Sequence, residues 1–91
     1  MSVQWLFDVI QSRRESPSEG SYTSRLLGEG LPKIAQKVGE EATETVVAAL
    51  VQDDQRLIEE IADLTYHTLV LLAARRLTPA DVEAELEKRH K

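Results

Sequence analysis

Two pairs of acidic residues have side chains and a spacing that could bind a metal ion. Glu41 and Glu44 are three positions apart in "QKVGEEATETVVAAL", and Glu60 and Asp63 repeat the spacing in "LIEEIADLTYH". On an α-helix this spacing places both carboxylates of a pair on one face, one turn apart. If the two segments are neighbouring helices joined by a tight turn, the four carboxylates can converge. They would then repel each other, and a hard divalent cation would relieve that repulsion.

Oxygen-only ligation predicts Mg²⁺, with Mn²⁺ as a possible substitute, in preference to Zn²⁺. Mg²⁺ is typically shared between carboxylates and substrate phosphates. Positively charged side chains near the acids could therefore contact the same phosphates. Lys33 and Lys37 lie on the same side of the helix as the acids and could hold phosphate oxygens. Glu40 could orient or deprotonate an attacking water. The hydroxyls of "SYTSRL" suit phosphate contacts, although ordinary turn chemistry explains them equally well.

A solvated helix face is the competing explanation of these acids. Glutamate is a good helix former, and Lys37 with Glu41 is an ordinary i,i+4 neighbour pair. The second acidic pair, however, stands inside an apolar run, where an unpaired carboxylate is costly. By pattern alone the two explanations stay balanced. For His67, a hydrogen-bonded structural role is favoured over a role as a ligand.

The elements that must position these residues are helices, and the chain is predicted to be all-α with four to five of them. No strand alternation is visible. Capping residues and helical spacing predict a first helix from Ser2 to near Glu15, a loop over 15–24 and a short helical turn at "SRLLGEG". Two long helices, from Pro32 to about Gln52 and from about Gln55 to Arg76, should form an antiparallel pair. Asp53 or Asp54 would cap the second, and Thr78 would cap a last helix.

The apolar residues of the long helices predict self-association. The second long helix is apolar almost all round and must be buried on more than one side, which in so short a chain favours a helical-bundle homodimer. On the first long helix Lys33, Lys37, Glu40, Glu41 and Glu44 form a polar patch. The predicted core stripe of that helix consists of Leu31, Ile34, Ala35, Val38, Ala42, Thr45, Val46 and Ala49.

Length and composition restrict the class of protein. The 91 residues predict a single domain over 1–91, with a net charge of −5 that disfavours nucleic-acid binding. The absence of cysteine excludes disulfides and thiolate metal sites. The N-terminus does not resemble a signal peptide, and the longest apolar run, "LVLLAA", is too short to span a membrane. A cytoplasmic location is therefore predicted.

The quoted segments also resemble a known family. "EEATE" followed by "EIAD" is similar to the E-E-x-x-E … E-x-x-D signature of all-α, MazG-like nucleotide pyrophosphohydrolases. "SYT", "KIAQKVGEEA", "ADLTYH" and "ELEKRH" narrow the resemblance to the phosphoribosyl-ATP pyrophosphatases of histidine biosynthesis, over about residues 21–90.

This resemblance implies Mg²⁺-dependent hydrolysis of phosphoribosyl-ATP to phosphoribosyl-AMP and pyrophosphate by a homodimer. It implies Glu41, Glu44, Glu60 and Asp63 as metal ligands, with Glu40 as a further ligand or base. Lys33, Lys37, Tyr22, Thr23 and Ser24 are then candidates for phosphate binding. Because the sequence ends at Lys91, the cyclohydrolase that follows in the pathway is expected to be a separate protein.

Two alternatives remain at this point. One is a MazG-like enzyme that acts on ordinary or damaged (d)NTPs. The other is a non-catalytic helical dimerisation module whose acidic residues only form a soluble face.

Overall fold

The computed structural model describes residues 1–91 and contains five α-helices and no strand, which confirms the all-α prediction. No helix of the fold combines the length and the apolar character that a bilayer crossing requires. The helices are α1 (Val3–Glu15), α2 (Tyr22–Glu29), α3 (Leu31–Val51), α4 (Asp54–Ala74) and α5 (Pro79–Arg89).

Short-range capping explains where most helices begin. The Ser2 hydroxyl accepts the Trp5 N–H at 3.0 Å, and the Asp53 carboxylate accepts the Arg56 N–H at 2.9 Å, so Asp53 rather than Asp54 caps α4. Thr78 and Asp81 form the predicted capping box at the start of α5. Each cap satisfies backbone donors that the first turn of a helix leaves unpaired.

Two boundaries differ from the prediction by more than one residue. The expected loop over 15–24 is shorter, because the Ser21 hydroxyl accepts the Ser24 N–H at 3.1 Å and starts α2 at Tyr22. The helix α4 ends at Ala74 instead of Arg76, whose φ of 59° lies in the left-handed region that commonly terminates a helix.

The main packing surface lies between α3 and α4, which are joined by only Gln52 and Asp53. α1 packs against α4, and α2 fills the space next to α1 and α3. Apolar side chains from these four helices form one core: Phe7, Ile10, Leu26, Ile34, Leu69, Val70 and Ala73.

The predicted core stripe of α3 was wrong in its direction. Val46, a member of that stripe, is 58% exposed, whereas Ala48, which was left out of it, is 1% exposed. The face of α3 that is buried against the body runs through Ile34, Glu41 and Ala48, roughly a quarter of a turn away. Glu41, expected on a separate polar side, therefore lies on the packed face.

Several apolar surfaces have no partner inside the chain. Val46 and Leu50 of α3 are exposed, as are Ile58 and Ile61 of α4. An open groove of about 590 Å³ also lies between the start of α1, α4 and α5, with Leu64, Leu72 and Val82 among its lining residues. Surface of this kind commonly marks an interface.

Candidate active site

Three carboxylates converge between α3 and α4. Glu41, Glu60 and Asp63 each bring an oxygen within 4.8 Å of the other two. Glu41 and Glu60 are buried, with 7% and 5% of their surface exposed, while Asp63 is exposed and forms the outer side of the group. The prediction that acids from the two long helices meet is confirmed for these three side chains.

The two buried glutamates are only half satisfied. Glu41 Oε1 lies 3.8 Å from the Lys37 ammonium, and Glu60 Oε1 accepts a hydrogen bond from the Arg56 guanidinium at 2.6 Å. The second oxygen of each carboxylate, Oε2, is buried and has no hydrogen-bond partner. Unpaired buried acceptors are rare in folded proteins because they lose the free energy of hydration. Two such oxygens beside a third carboxylate form the donor set that a hard cation prefers.

Glu44 lies next to this group, one turn after Glu41. Its side chain is exposed, and the pKa of its carboxyl is raised above the ordinary value. The main cause is the Glu41 carboxylate, to which only the protonated form of Glu44 can donate a hydrogen bond and whose negative charge opposes ionisation of Glu44, while Glu60 and Lys37 oppose the shift. The raised pKa indicates that like charges crowd this site when no cation is present.

A cavity of about 210 Å³ adjoins the carboxylates on the side of the α3–α4 connection. Glu44 and Glu60 line it together with Thr43, Val47, Gln52 and Arg56. Most of this lining is polar. Arg56 was not among the site residues proposed from the sequence. Its i,i+4 spacing to Glu60 was the available signal, but pairs of this kind are common on exposed helices.

The other predicted residues on α3 lie further out. Glu40 is exposed and accepts a hydrogen bond from Gln36 at 3.4 Å, outside the group of three carboxylates. Lys33 is exposed, one turn before Lys37. Lys37 is half-buried, and its ammonium lies beside Glu41.

His67 connects α4 to the start of α2. Its Nδ1 lies 2.8 Å from the backbone oxygen of Asp63, and its Nε2 lies 3.1 Å from the Tyr22 hydroxyl. Because a carbonyl oxygen can only accept, we assign the proton of the neutral imidazole to Nδ1, and Nε2 then accepts from Tyr22. His67 is buried and hydrogen-bonded, as the structural interpretation predicted.

Thr23 and Ser24 also have partners within the chain. The Thr23 hydroxyl is hydrogen-bonded to the Tyr66 hydroxyl, and the Ser24 hydroxyl accepts the Ser18 N–H at 2.9 Å. Burial raises the pKa of Tyr66. The first turn of α2 is therefore held against α4, directly beside the helical turn that carries Asp63.

Comparison with known proteins identifies the family of this chain. The family model described as phosphoribosyl-ATP pyrophosphohydrolase matches residues 3–90. The phosphoribosyl-ATP pyrophosphatase of Clostridium botulinum (strain Hall) is 49% identical over 87 residues, which cover 96% of this chain and 79% of that protein. The protein of the same name from Sulfolobus acidocaldarius is 50% identical over 89 residues, covering 98% of this chain and 94% of the relative. That of Parvibaculum lavamentivorans is 54% identical over 84 residues, covering 92% and 77%. The chain therefore belongs to the phosphoribosyl-ATP pyrophosphohydrolase family.

Proposed function

We propose that this protein hydrolyses phosphoribosyl-ATP to phosphoribosyl-AMP and pyrophosphate, as a step of histidine biosynthesis. The family membership supports the reaction and its substrate. One observation links the reaction to particular residues. Two buried oxygens, Glu41 Oε2 and Glu60 Oε2, have no hydrogen-bond partner within the chain.

The same carboxylates would hold the metal ion. Glu41, Glu60 and Asp63 would be ligands, with Glu44 as the fourth, and the oxygen-only set suits Mg²⁺ or, in its place, Mn²⁺. When bound, the ion would neutralise phosphate charge and orient the phosphate oxygens.

The remaining polar side chains would bind and orient the substrate. Lys37, already beside Glu41, and Lys33, one turn before it, would contact phosphate oxygens. Glu40 lies exposed next to Glu41 in the sequence and remains a candidate to take a proton from the attacking water. The hydroxyls of Tyr22, Thr23 and Ser24 would contact the substrate only by sharing or exchanging their present partners.

We further propose that α3 and α4 are antiparallel and that two copies of the chain pair through them into a helical bundle. The two-residue connection and the register that joins Glu41 to Glu60 support the antiparallel arrangement. The exposed Val46, Leu50 and Ile61 support the dimer. A charge at Val46 (Val46→Glu) should shift the mass measured by light scattering from two chains to one, whereas Glu85→Gln on α5 should not. The cytoplasmic location and the single domain stay predictions.

A substrate panel tests the proposed reaction. The purified protein with Mg²⁺ is given phosphoribosyl-ATP or ordinary (d)NTPs at equal concentration, and pyrophosphate release is measured. We expect phosphoribosyl-ATP to be strongly preferred. A preference for plain nucleotides would instead assign the chain to the MazG-like housecleaning enzymes.

Metal binding separates the enzyme from a non-catalytic dimerisation module. Glu44→Gln and Asp63→Asn should both weaken Mg²⁺ binding in calorimetric titrations and remove turnover, while the helical circular dichroism spectrum is retained. Unchanged Mg²⁺ affinity in both variants would favour the module.

A further inference from the structure

Arg56 stands in the first turn of α4 and binds two carboxylates at once. One guanidinium nitrogen, Nη2, donates to Glu60 Oε1 at 2.6 Å, and the other, Nη1, pairs with Glu59. The side chain is 48% exposed, so it can leave this position without disturbing the core. Arg56 is thus the cation that balances the buried Glu60 in the protein without metal.

This pairing conflicts with the metal site. Glu60 has only two carboxylate oxygens; one is held by Arg56, and the other is buried without a hydrogen-bond partner. A guanidinium in direct contact with a metal ligand also repels a divalent cation, because both are positive. Binding of Mg²⁺ therefore favours a conformation in which Arg56 has moved away from Glu60.

The guanidinium released from Glu60 could bind a phosphate group in the adjoining cavity. Arg56 is the only positively charged residue in the lining of the 210 Å³ cavity, which Glu44 and Glu60 share with the carboxylate group. Without metal, these acids would repel an anion from the cavity. A bound divalent cation inverts the local sign, and the planar fork of an arginine matches two oxygens of one phosphate.

We propose that Arg56 exchanges Glu60 for phosphate during the reaction cycle, and this inference depends on the proposed function. Arg56 holds Glu60 in the metal-free protein, is displaced when Mg²⁺ occupies the site, and then binds the diphosphate group in the adjoining cavity. It is a substrate-binding residue that also lowers the affinity for metal.

Two titrations with opposite expected signs test this exchange. The Arg56→Gln variant lacks the competing cation, so calorimetry should show Mg²⁺ binding about three- to tenfold tighter than in the wild type, given the modest strength of a half-exposed ion pair. In saturating Mg²⁺, the same variant should bind inorganic pyrophosphate about tenfold or more weakly, because a charged fork to phosphate is lost. Arg89→Gln is the matched control, since Arg89 forms a similar i,i+4 pair with Glu85 on α5. It should change neither affinity.

The outcomes are distinguishable. Tighter Mg²⁺ binding combined with weaker pyrophosphate binding supports the exchange. If the wild type binds Mg²⁺ but Arg56→Gln leaves either affinity unchanged, or moves both in the same direction, the role of Arg56 is overturned and the proposed function stands. If the wild type binds no Mg²⁺ at millimolar concentration, the proposed function fails and this inference with it. Arg56→Lys keeps the charge without the fork, and should restore the Mg²⁺ affinity of the wild type but not its pyrophosphate affinity.

Discussion

Replacement of Glu41 by glutamine should stabilise the protein in the absence of metal. In excess Mg²⁺ the same variant should be less stable than the wild type. Glu41 is buried, and its carboxylate approaches those of Glu60 and Asp63 within 4.8 Å. Glutamine has nearly the same shape but no charge. The variant therefore removes like-charge repulsion in the metal-free protein and removes a proposed ligand from the metal-bound one.

The structure sets the size of the metal-free effect. Two unit charges 4.8 Å apart repel by about 1 kcal/mol with the dielectric constant of water and by about 3.5 kcal/mol with an effective value of 20. Asp63 is exposed, so its repulsion of Glu41 should be close to the value calculated with the dielectric constant of water. Loss of the Lys37 pair offsets up to about 1 kcal/mol, and the ion pair with Arg56 weakens the repulsion that Glu60 exerts on Glu41. Glu41→Gln should therefore raise the free energy of unfolding without metal by about 1–2 kcal/mol.

With Mg²⁺ the wild type should have the higher free energy of unfolding. The wild type gains about 2.7 kcal/mol when free Mg²⁺ reaches a hundred times its dissociation constant, and the variant with an impaired site gains much less. Urea unfolding followed by circular dichroism, once in EDTA and once in excess Mg²⁺, measures both differences. Glu85→Gln on α5, whose acid is exposed and paired with Arg89, is the control and should behave like the wild type in both solutions.

A destabilised Glu41→Gln variant in EDTA would show that the carboxylate is satisfied in the metal-free fold, contrary to the unpaired Oε2. An equal gain from Mg²⁺ in both proteins would show that the ion binds elsewhere. Either result would refute the reasoning that the buried carboxylates form a binding site for a divalent cation.

Three further perturbations test neighbouring parts of the site. Asp63→Asn should lower turnover by about a hundredfold or more while the thermal unfolding temperature without metal is retained or slightly raised, since the exposed side chain contributes repulsive charge and no packing. The pKa of Glu44 is raised from 4.5 by Glu41, so its contribution to stability is full below pH 4.5 and is lost as the pH rises through the raised pKa. In EDTA the wild type should thus lose stability relative to Glu44→Gln as the pH rises above 4.5, and a constant difference in urea unfolding would contradict this. Tyr22→Phe should cost about 1–2 kcal/mol of unfolding free energy, because the buried His67 Nε2 loses its donor; a loss below about 0.3 kcal/mol would show that this bond contributes little.

The starts of most helices followed from local chemistry. Ser2, Asp53 and Thr78 cap helices through residues only three positions away, so neighbouring residues suffice to predict these starts. The spacing of Glu41, Glu60 and Asp63 and the short α3–α4 connection likewise made their convergence predictable, because a tight turn leaves few registers. The start of α2 at Tyr22 was missed, since Ser-rich segments suit both a cap and a turn.

The rotation of α3 about its axis required the folded chain. Apolar residues cover a wide arc of this helix, and their average direction falls between the face that packs on α4 and the face that Val46 leaves exposed. Only long-range packing selects between such faces, and here it buries Glu41 on the packed side. The same holds for the bond from Tyr22 to His67, which joins residues 45 positions apart. Hydrophobic periodicity describes one helix at a time, whereas the burial of Glu41 and Glu60 depends on the packing of α3 against α4.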